Sequence, residues 1–357
     1  MADFLQPLEI RQYPLPVEIE PGAMLVKVEI AGICGTDVHL WKGQLPIPRP
    51  IIMGHETVGI IDRLGEGLET DWTGVPLREG DRVTWSAGML CGSCYHCAVI
   101  RQPTRCWNRR AYGISFNCDE PPHFSGGYAE YVYLRAGTAI FKLSDVASEA
   151  VTGAGCALVT AIHGLERMGI RWGDNVVIQG SGPVGLAALA VARSAGASTT
   201  IVIGGPAARL KLAKAFGADH TIHVEEIPDA SVRLDLIMSF TKGHGADAVI
   251  ECVGSPVVVP EGFEMCRDGG KYLVLGHYGD AGGTQINPHV ITRKQLTVYG
   301  SWASEPRHMA AAIEFLRKQG ERFPFDQLIS HRFPLDRAFE ALQTTPKWVS
   351  TKSVIAP

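Results

Sequence analysis

Long apolar runs are missing from this chain of 357 residues. Its longest uncharged stretch, Asn175 to Ala192, holds Gln179, Ser181, Pro183 and three glycines. That reads as strand, turn and helix start, and it excludes a membrane span there. Basic blocks are missing too. A net charge of −4 with no Lys/Arg cluster argues against nucleic acid and anionic membranes as partners. The opening Met1-Ala2-Asp3-Phe4 lacks a basic segment followed by an apolar one, so no secretory signal is expected and the cytoplasm is the expected location. Internal repeats and low-complexity segments are also absent. Cysteine, by contrast, is plentiful: nine, an odd number, several at short spacing. Without an export signal, metal ligation outranks disulfides.

An apolar share of 46% over this length supports two ordinary cores. Residues 1 to about 150 carry short β-type runs broken by Gly and Pro: Met24 to Ile30, Thr57 to Ile61, Asp81 to Trp85 and Tyr128 to Tyr133. They predict a twisted antiparallel barrel or sandwich. From Val151 to about residue 298 the pattern is strand then helix, with about six strands, which predicts a parallel, doubly wound α/β sheet. The last stretch, Gly300 to Pro357, is too short to fold alone and is expected to rejoin the first domain. The expected division is a catalytic domain at 1–156 with 300–357, and a dinucleotide-binding domain at 157–299.

Two clusters have the chemistry of metal sites. Cys34, in the run Gly32 to His39, and His55, in Gly54-His55-Glu56, form a thiolate and imidazole pair that suits zinc. Cys156 is a third candidate, and two Cys with one His leave a tetrahedral ion one open position. The run Cys91-x2-Cys94-x2-Cys97-x8-Cys106 supplies four thiols in one short loop, as in a closed structural zinc site. Cys118, Cys252 and Cys266 have no such company and read as small core residues.

Gly180-Ser181-Gly182-Pro183-Val184-Gly185 fits G-x-G-x-x-G, after a strand and at the start of a helix, as a dinucleotide fingerprint requires. At the end of the next strand, where an NAD site normally has Asp or Glu, stand Gly204-Gly205-Pro206. The missing carboxylate admits NADP. Yet no Lys or Arg occupies 205–208, and Arg209 lies a helical turn beyond, touching either ribose or phosphate if it has a role. The balance falls narrowly to NAD.

Gly32-x-Cys34-Gly-x-Asp37-x-His39, Gly54-His55-Glu56, the four-cysteine lobe, Cys156 and the fingerprint together resemble the zinc-dependent alcohol dehydrogenases of the medium-chain dehydrogenase/reductase superfamily. The resemblance spans nearly the whole chain; the last gap of the lobe is one residue longer than the commonest family spacing. It implies a GroES-like N-terminal domain and a Rossmann domain. It also implies catalytic zinc on Cys34, His55 and Cys156, structural zinc on the lobe, and a nicotinamide cofactor. Glu56 would lie behind the metal, and Asp37 would accept from the second nitrogen of His55. A proton would leave through Thr36 and His39. By family position Lys352 would reach the pyrophosphate, and Val274 with Leu275 would face the nicotinamide amide. Trp41 and Trp85 are pocket-wall candidates, and the segment Trp107 to Phe124, with Tyr112, Phe116 and His123, is a candidate substrate loop. The implied activity is oxidation of a small or medium alcohol, secondary or cyclic among the options, to its ketone or aldehyde. A polyol, amino alcohol or sugar alcohol is the alternative, and a non-catalytic nucleotide-binding relative the third reading. Cys at the third ligand position, where the polyol branch has Glu, favours the first. The implied assembly is a homodimer or homotetramer.

Overall fold

A computed structural model describes residues 1–345 and 351–357. The chain divides into two compact units: Met1–Cys156 with Ser304–Gly320 and Phe325–Pro357, and Ala157–Ala303 with Glu321–Pro324.

The first unit is built around β1 (Met24–Ile33). Helix α1 (Gly35–Trp41) follows at once, then β2 (Glu56–Leu64), β3 (Arg82–Trp85), the pair β4 (Gly88–Met89) and β5 (Arg110–Ala111), β6 (Tyr131–Leu134) and β7 (Ile140–Lys142). Helix α2 (Ser148–Met168) leads out of this unit. Strand β1 alternates only at Lys27 and Glu29, because it pairs with several neighbours and is buried elsewhere. Its antiparallel partner β2 sets Gly32 opposite Glu56. The barrel core includes Trp85, Tyr112, Phe116 and Tyr128.

The second unit alternates β8 (Asn175–Gln179), α3 (Pro183–Ser194), β9 (Thr199–Gly204), α4 (Ala207–Ala215), β10 (His220–His223), α5 (Ala230–Phe240), β11 (Ala246–Glu251), α6 (Val258–Met265), β12 (Cys266–Val274), α7 (Pro288–Lys294) and β13 (Thr297–Gly300). The six strands lie parallel in the order β10-β9-β8-β11-β12-β13. The order reverses between β8 and β11, and in such sheets the crevice at that reversal, outside the carboxyl ends, receives the ligand. Val176, Val177 and Ile178 of β8 are fully buried, as a strand covered by helices on both faces requires.

Back in the first unit come α8 (Pro306–Gln319), β14 (Ile329–Phe333), α9 (Ala338–Thr344) and β15 (Lys352–Ile355), which pairs antiparallel with β1. The expected boundary at 299/300 shifts. Residues 300–303 stay with the second unit, where His163 meets the Ala303 carbonyl at 2.8 Å. Residues 321–324 also belong there, because Phe323 packs its ring on Phe216 at 6.1 Å.

Candidate metal centre and dinucleotide site

Cys34 stands where β1 gives way to α1. Its sulfur accepts the Thr36 N–H at 3.3 Å, and its own N–H donates to Asp37 Oδ2 at 2.9 Å, a reciprocal cap that holds the thiol at the helix start. His55 immediately precedes β2 and brings Nε2 to 3.3 Å from the Cys34 sulfur. Cys156 arrives from α2, which is broken one residue earlier. Gly155 has φ 46° and ψ −146°, and a β-carbon there would lie 2.3 Å from Glu56 Oε1 and 2.5 Å from Lys352 Nζ. Only glycine can hold that bend, and the bend turns Cys156 toward the other two donors.

Glu56 closes the back of the site. Oε1 accepts the Cys156 N–H at 2.6 Å and Oε2 accepts from Lys352 Nζ at 2.6 Å, with both side chains almost wholly buried. Burial raises the carboxyl pKa, but the ammonium overrides it and holds it below the usual range. The ligand atoms of Cys34, His55, Glu56 and Cys156 all fall within 4.8 Å of one another. The Cys34 thiol is lowered to about 6, first by the hydrogen bond with Cys156 and then by His55, while Cys156 is pushed well up by the same hydrogen bond and by burial. Burial opposes charge on His55, yet Cys34 and Asp37 outweigh it and raise its pKa well above normal. Negative charge gathered on buried sulfur, beside an imidazole, is what a divalent soft-to-borderline cation neutralises. The donor set fits zinc.

Asp37 lies behind His55, with Oδ1 3.4 Å from Nδ1. Both atoms are buried and face each other at ion-pair distance. Thr36 is partly exposed on the first turn of α1. His39, one turn on, is at the surface with Nδ1 bonded to Gln44 Oε1. Residues three apart share a helix face.

In the lobe, the sulfurs of Cys91, Cys94, Cys97 and Cys106 also lie within 4.8 Å of one another. A π-turn over Tyr95–Val99 carries Cys97, and a 3₁₀ turn over Pro103–Arg105 returns Cys106. The longer last gap does not displace it. The Ser93 N–H and then Asn108 lower Cys91 to about 5, whereas burial pushes Cys97 up to about 12. This group also has a zinc donor set.

In the second unit, Pro183 opens α3 behind the Gly182 cap, and a β-carbon at Gly185 would lie 1.9 Å from the Gly180 carbonyl oxygen. Val184 sits in the first turn of that helix. Ser181, inside the fingerprint, donates to the Gly205 carbonyl and accepts the Gly205 N–H, both at 3.1 Å. Its hydroxyl thus locks the fingerprint turn to the loop after Gly204, a contact sequence reasoning missed. Arg209 overhangs this turn, with one guanidinium nitrogen 4.0 Å from where a Gly182 side chain would begin.

Residues 20–145 match the alcohol dehydrogenase GroES-like domain, and residues 183–318 match the zinc-binding dehydrogenase model. The chain is 36% identical to 5-exo-hydroxycamphor dehydrogenase of Pseudomonas putida, over 94% of this chain and 92% of that one. It belongs to the zinc-dependent alcohol dehydrogenase family. A sorbitol dehydrogenase of Halalkalibacterium halodurans is 30% identical over the same shares. Among solved structures, an alcohol dehydrogenase from Thermotoga maritima superposes with TM-score 0.95 at 34% identity, covering 100% of this chain and 97% of that one. A protein described as a zinc-binding dehydrogenase from Sinorhizobium meliloti, bound to NADP, gives TM-score 0.83 at 29% identity, over 97% and 95%.

Some residues of this dehydrogenase lie elsewhere than the sequence suggests. Lys352, expected at the pyrophosphate, is committed to Glu56, because pairing of β15 with β1 sets Ser353 opposite Ile33 and carries Lys352 in behind Cys156. Trp85, 3% exposed, packs edge-on to Tyr112 in the barrel core. Trp41 is half-buried, its indole N–H bound to the Gln6 carbonyl and its ring against Phe339. Tyr112 and Phe116 of the supposed substrate loop are core residues, and His123 stacks on Tyr13. Val274 closes β12 with its carbonyl receiving the Ser301 N–H, while the Leu275 N–H donates to the Glu251 carbonyl. Both keep only part of their backbone for a cofactor.

Proposed function

We propose that this zinc-family dehydrogenase oxidises a secondary cyclic alcohol to its ketone with NAD as hydride acceptor, using one catalytic and one structural zinc per chain. The observation that carries the reading is the donor set of Cys34, His55 and Cys156, with Glu56 tied back by Lys352 and the Cys156 N–H. Three ligands with the carboxylate withheld leave one position for substrate oxygen. Cys156 in place of Glu, and the hydroxycamphor dehydrogenase relative, favour a cyclic alcohol over a polyol. The sorbitol dehydrogenase relative supports the polyol alternative. NADP is the second cofactor reading, and the position of Arg209 over the fingerprint turn favours it.

Zinc held by the three donors would act as a Lewis acid that lowers the pKa of the alcohol hydroxyl. The chain's own residues do the rest. Asp37 orients the His55 ring through Nδ1. Thr36 would take the hydroxyl proton as it releases its own, and His39, exposed on the next turn, would pass that proton to solvent. The fingerprint turn and the α3 N-terminus would hold the pyrophosphate, with Ser181 fixing the turn. A nicotinamide dinucleotide bound there would supply the hydride acceptor. We further infer a cytoplasmic homodimer or homotetramer, which light scattering on the purified protein decides.

The test is a panel of cyclic, linear and polyhydric alcohols followed by nicotinamide absorbance, with NAD⁺ and NADP⁺ side by side. A bicyclic secondary alcohol should exceed sorbitol at least about tenfold in kcat/KM, the scale of one or two pocket contacts. Sorbitol as the better substrate would overturn the substrate reading, and faster turnover with NADP⁺ would overturn the cofactor reading. Thr36→Val should lower kcat about 10²-fold while leaving both zinc ions in place. Unchanged kcat would remove Thr36 from the proton path.

A further inference from the structure

Glu251 is a carboxylate with no visible reason to be where it is. It ends β11, beside the reversal in strand order, and is fully buried. No Lys or Arg lies within ion-pair distance of it among the described residues; only His277 approaches, with Nε2 at 3.9 Å. Its charge is met by the backbone instead. Oε1 accepts the N–H groups of Val253 and Gly254, both at 2.6 Å, and Oε2 accepts the Gly276 N–H at 3.0 Å. The Glu251 carbonyl receives the Leu275 N–H at 3.0 Å and shares the Gly276 N–H, at 3.1 Å, with the carboxylate.

These bonds join the loop after β11 to the loop after β12. The two backbones cross so closely that a β-carbon at Gly276 would lie 2.3 Å from the Gly254 nitrogen and 2.8 Å from Glu251 Oε1. The first loop is also fastened to β8, since the Cys252 N–H donates to the Gln179 carbonyl at 2.8 Å. The Glu251 carbonyl ties only the second loop, whereas its carboxylate binds both, so this side chain helps set the spacing of two loops at the carboxyl edge of the sheet. Short hydrogen bonds to an ionised acceptor are about twice as strong as neutral ones. A buried charge is tolerated only when such partners surround it.

We infer that Glu251 is a positioning residue for the nicotinamide half of the dinucleotide, an inference that rests on the dinucleotide reading above. The adenosine half belongs to the loop after β9, and the pyrophosphate to the fingerprint at the end of β8. What remains on the other side of the reversal is the rim formed by residues 252–254 and 275–277, whose spacing Glu251 helps set. It touches no reacting atom. It acts by keeping those two segments at one separation, so that the ring docks in one orientation.

Glu251→Gln keeps the shape and replaces one acceptor oxygen with an amide N–H₂, so a donor faces a donor on at least one loop. Calorimetry on the whole protein then compares NADH with ADP-ribose, which shares the adenosine and pyrophosphate but lacks the nicotinamide. NADH should weaken about tenfold, the scale of one lost hydrogen bond to a charged group, while ADP-ribose stays within about twofold. Zinc content should be unchanged. Glu251→Asp, which retains the charge on a shorter arm, should show the same split to a smaller degree, and it decides the matter if the Gln variant does not fold. NADH and ADP-ribose weakening together, or neither weakening, would overturn the inference. Wild-type protein that binds neither ligand would overturn the dinucleotide reading itself, and this inference with it.

Discussion

Lys352→Met should destabilise the metal-binding unit by about 3–5 kcal/mol, the usual cost of removing one partner from a buried ion pair. The ammonium is 2.6 Å from Glu56 Oε2, and neither side chain has more than 2% of its surface exposed. Methionine fills most of the volume, so the loss is electrostatic. Glu56 would keep only the Cys156 N–H, which is too little for a carboxylate out of water. It would either take up a proton or turn toward the metal position, since its oxygen already lies within 4.8 Å of the three ligand atoms. The measurement is the urea midpoint for zinc release, followed with a chelating dye, because the two units need not unfold together. Lys352→Met combined with Glu56→Gln should regain much of the loss, since a neutral pair of similar size leaves no uncompensated charge. An unshifted midpoint in the single variant would mean that the pair contributes nothing to this site.

The Rossmann half was the easier to read. Asn175–Gln179 and Thr199–Gly204 are strands buried on both faces, so they appear as apolar runs, and the intervening glycines mark the turn. The clustering of the candidate donors was legible because Cys and His in these combinations have few other uses. Lys352 was misplaced because sequence cannot distinguish a lysine reaching for phosphate from one sealed against a carboxylate 296 positions away. Trp85 lies in the core, which sequence could not show for a related reason. An aromatic side chain fits a core as well as a pocket, and only the packing of Trp85 on Tyr112 decides between them. The kink at Gly155 was hidden in a segment with an unbroken helical pattern. Its one signal was a glycine directly before a candidate ligand. Glu251 left a similar trace, an acid closing the apolar run of β11, which alternation alone could not interpret.

Cys156→Ser should remove the catalytic zinc and reduce kcat/KM at least about 10³-fold, since loss of Lewis-acid stabilisation is worth several kcal/mol in the transition state. Serine is nearly isosteric, so Gly155 keeps its bend and the backbone N–H can still reach Glu56. What changes is the donor. A hydroxyl does not ionise near neutral pH, and the set is left with one thiolate and one imidazole. Metal analysis should fall from two zinc ions per chain to one, and the remaining ion, on Cys91, Cys94, Cys97 and Cys106, serves as the internal control. The mirror variant, Cys91→Ser, separates the two sites. It should also leave one zinc, but the loss should appear as weaker folding of the lobe, whose exposed turns have little apolar core of their own. Full zinc content and full turnover in Cys156→Ser would show that a different group completes the site. Among the described residues Glu56 is the acid already close enough to do so, and the triple set of Cys34, His55 and Cys156 would then have to be given up.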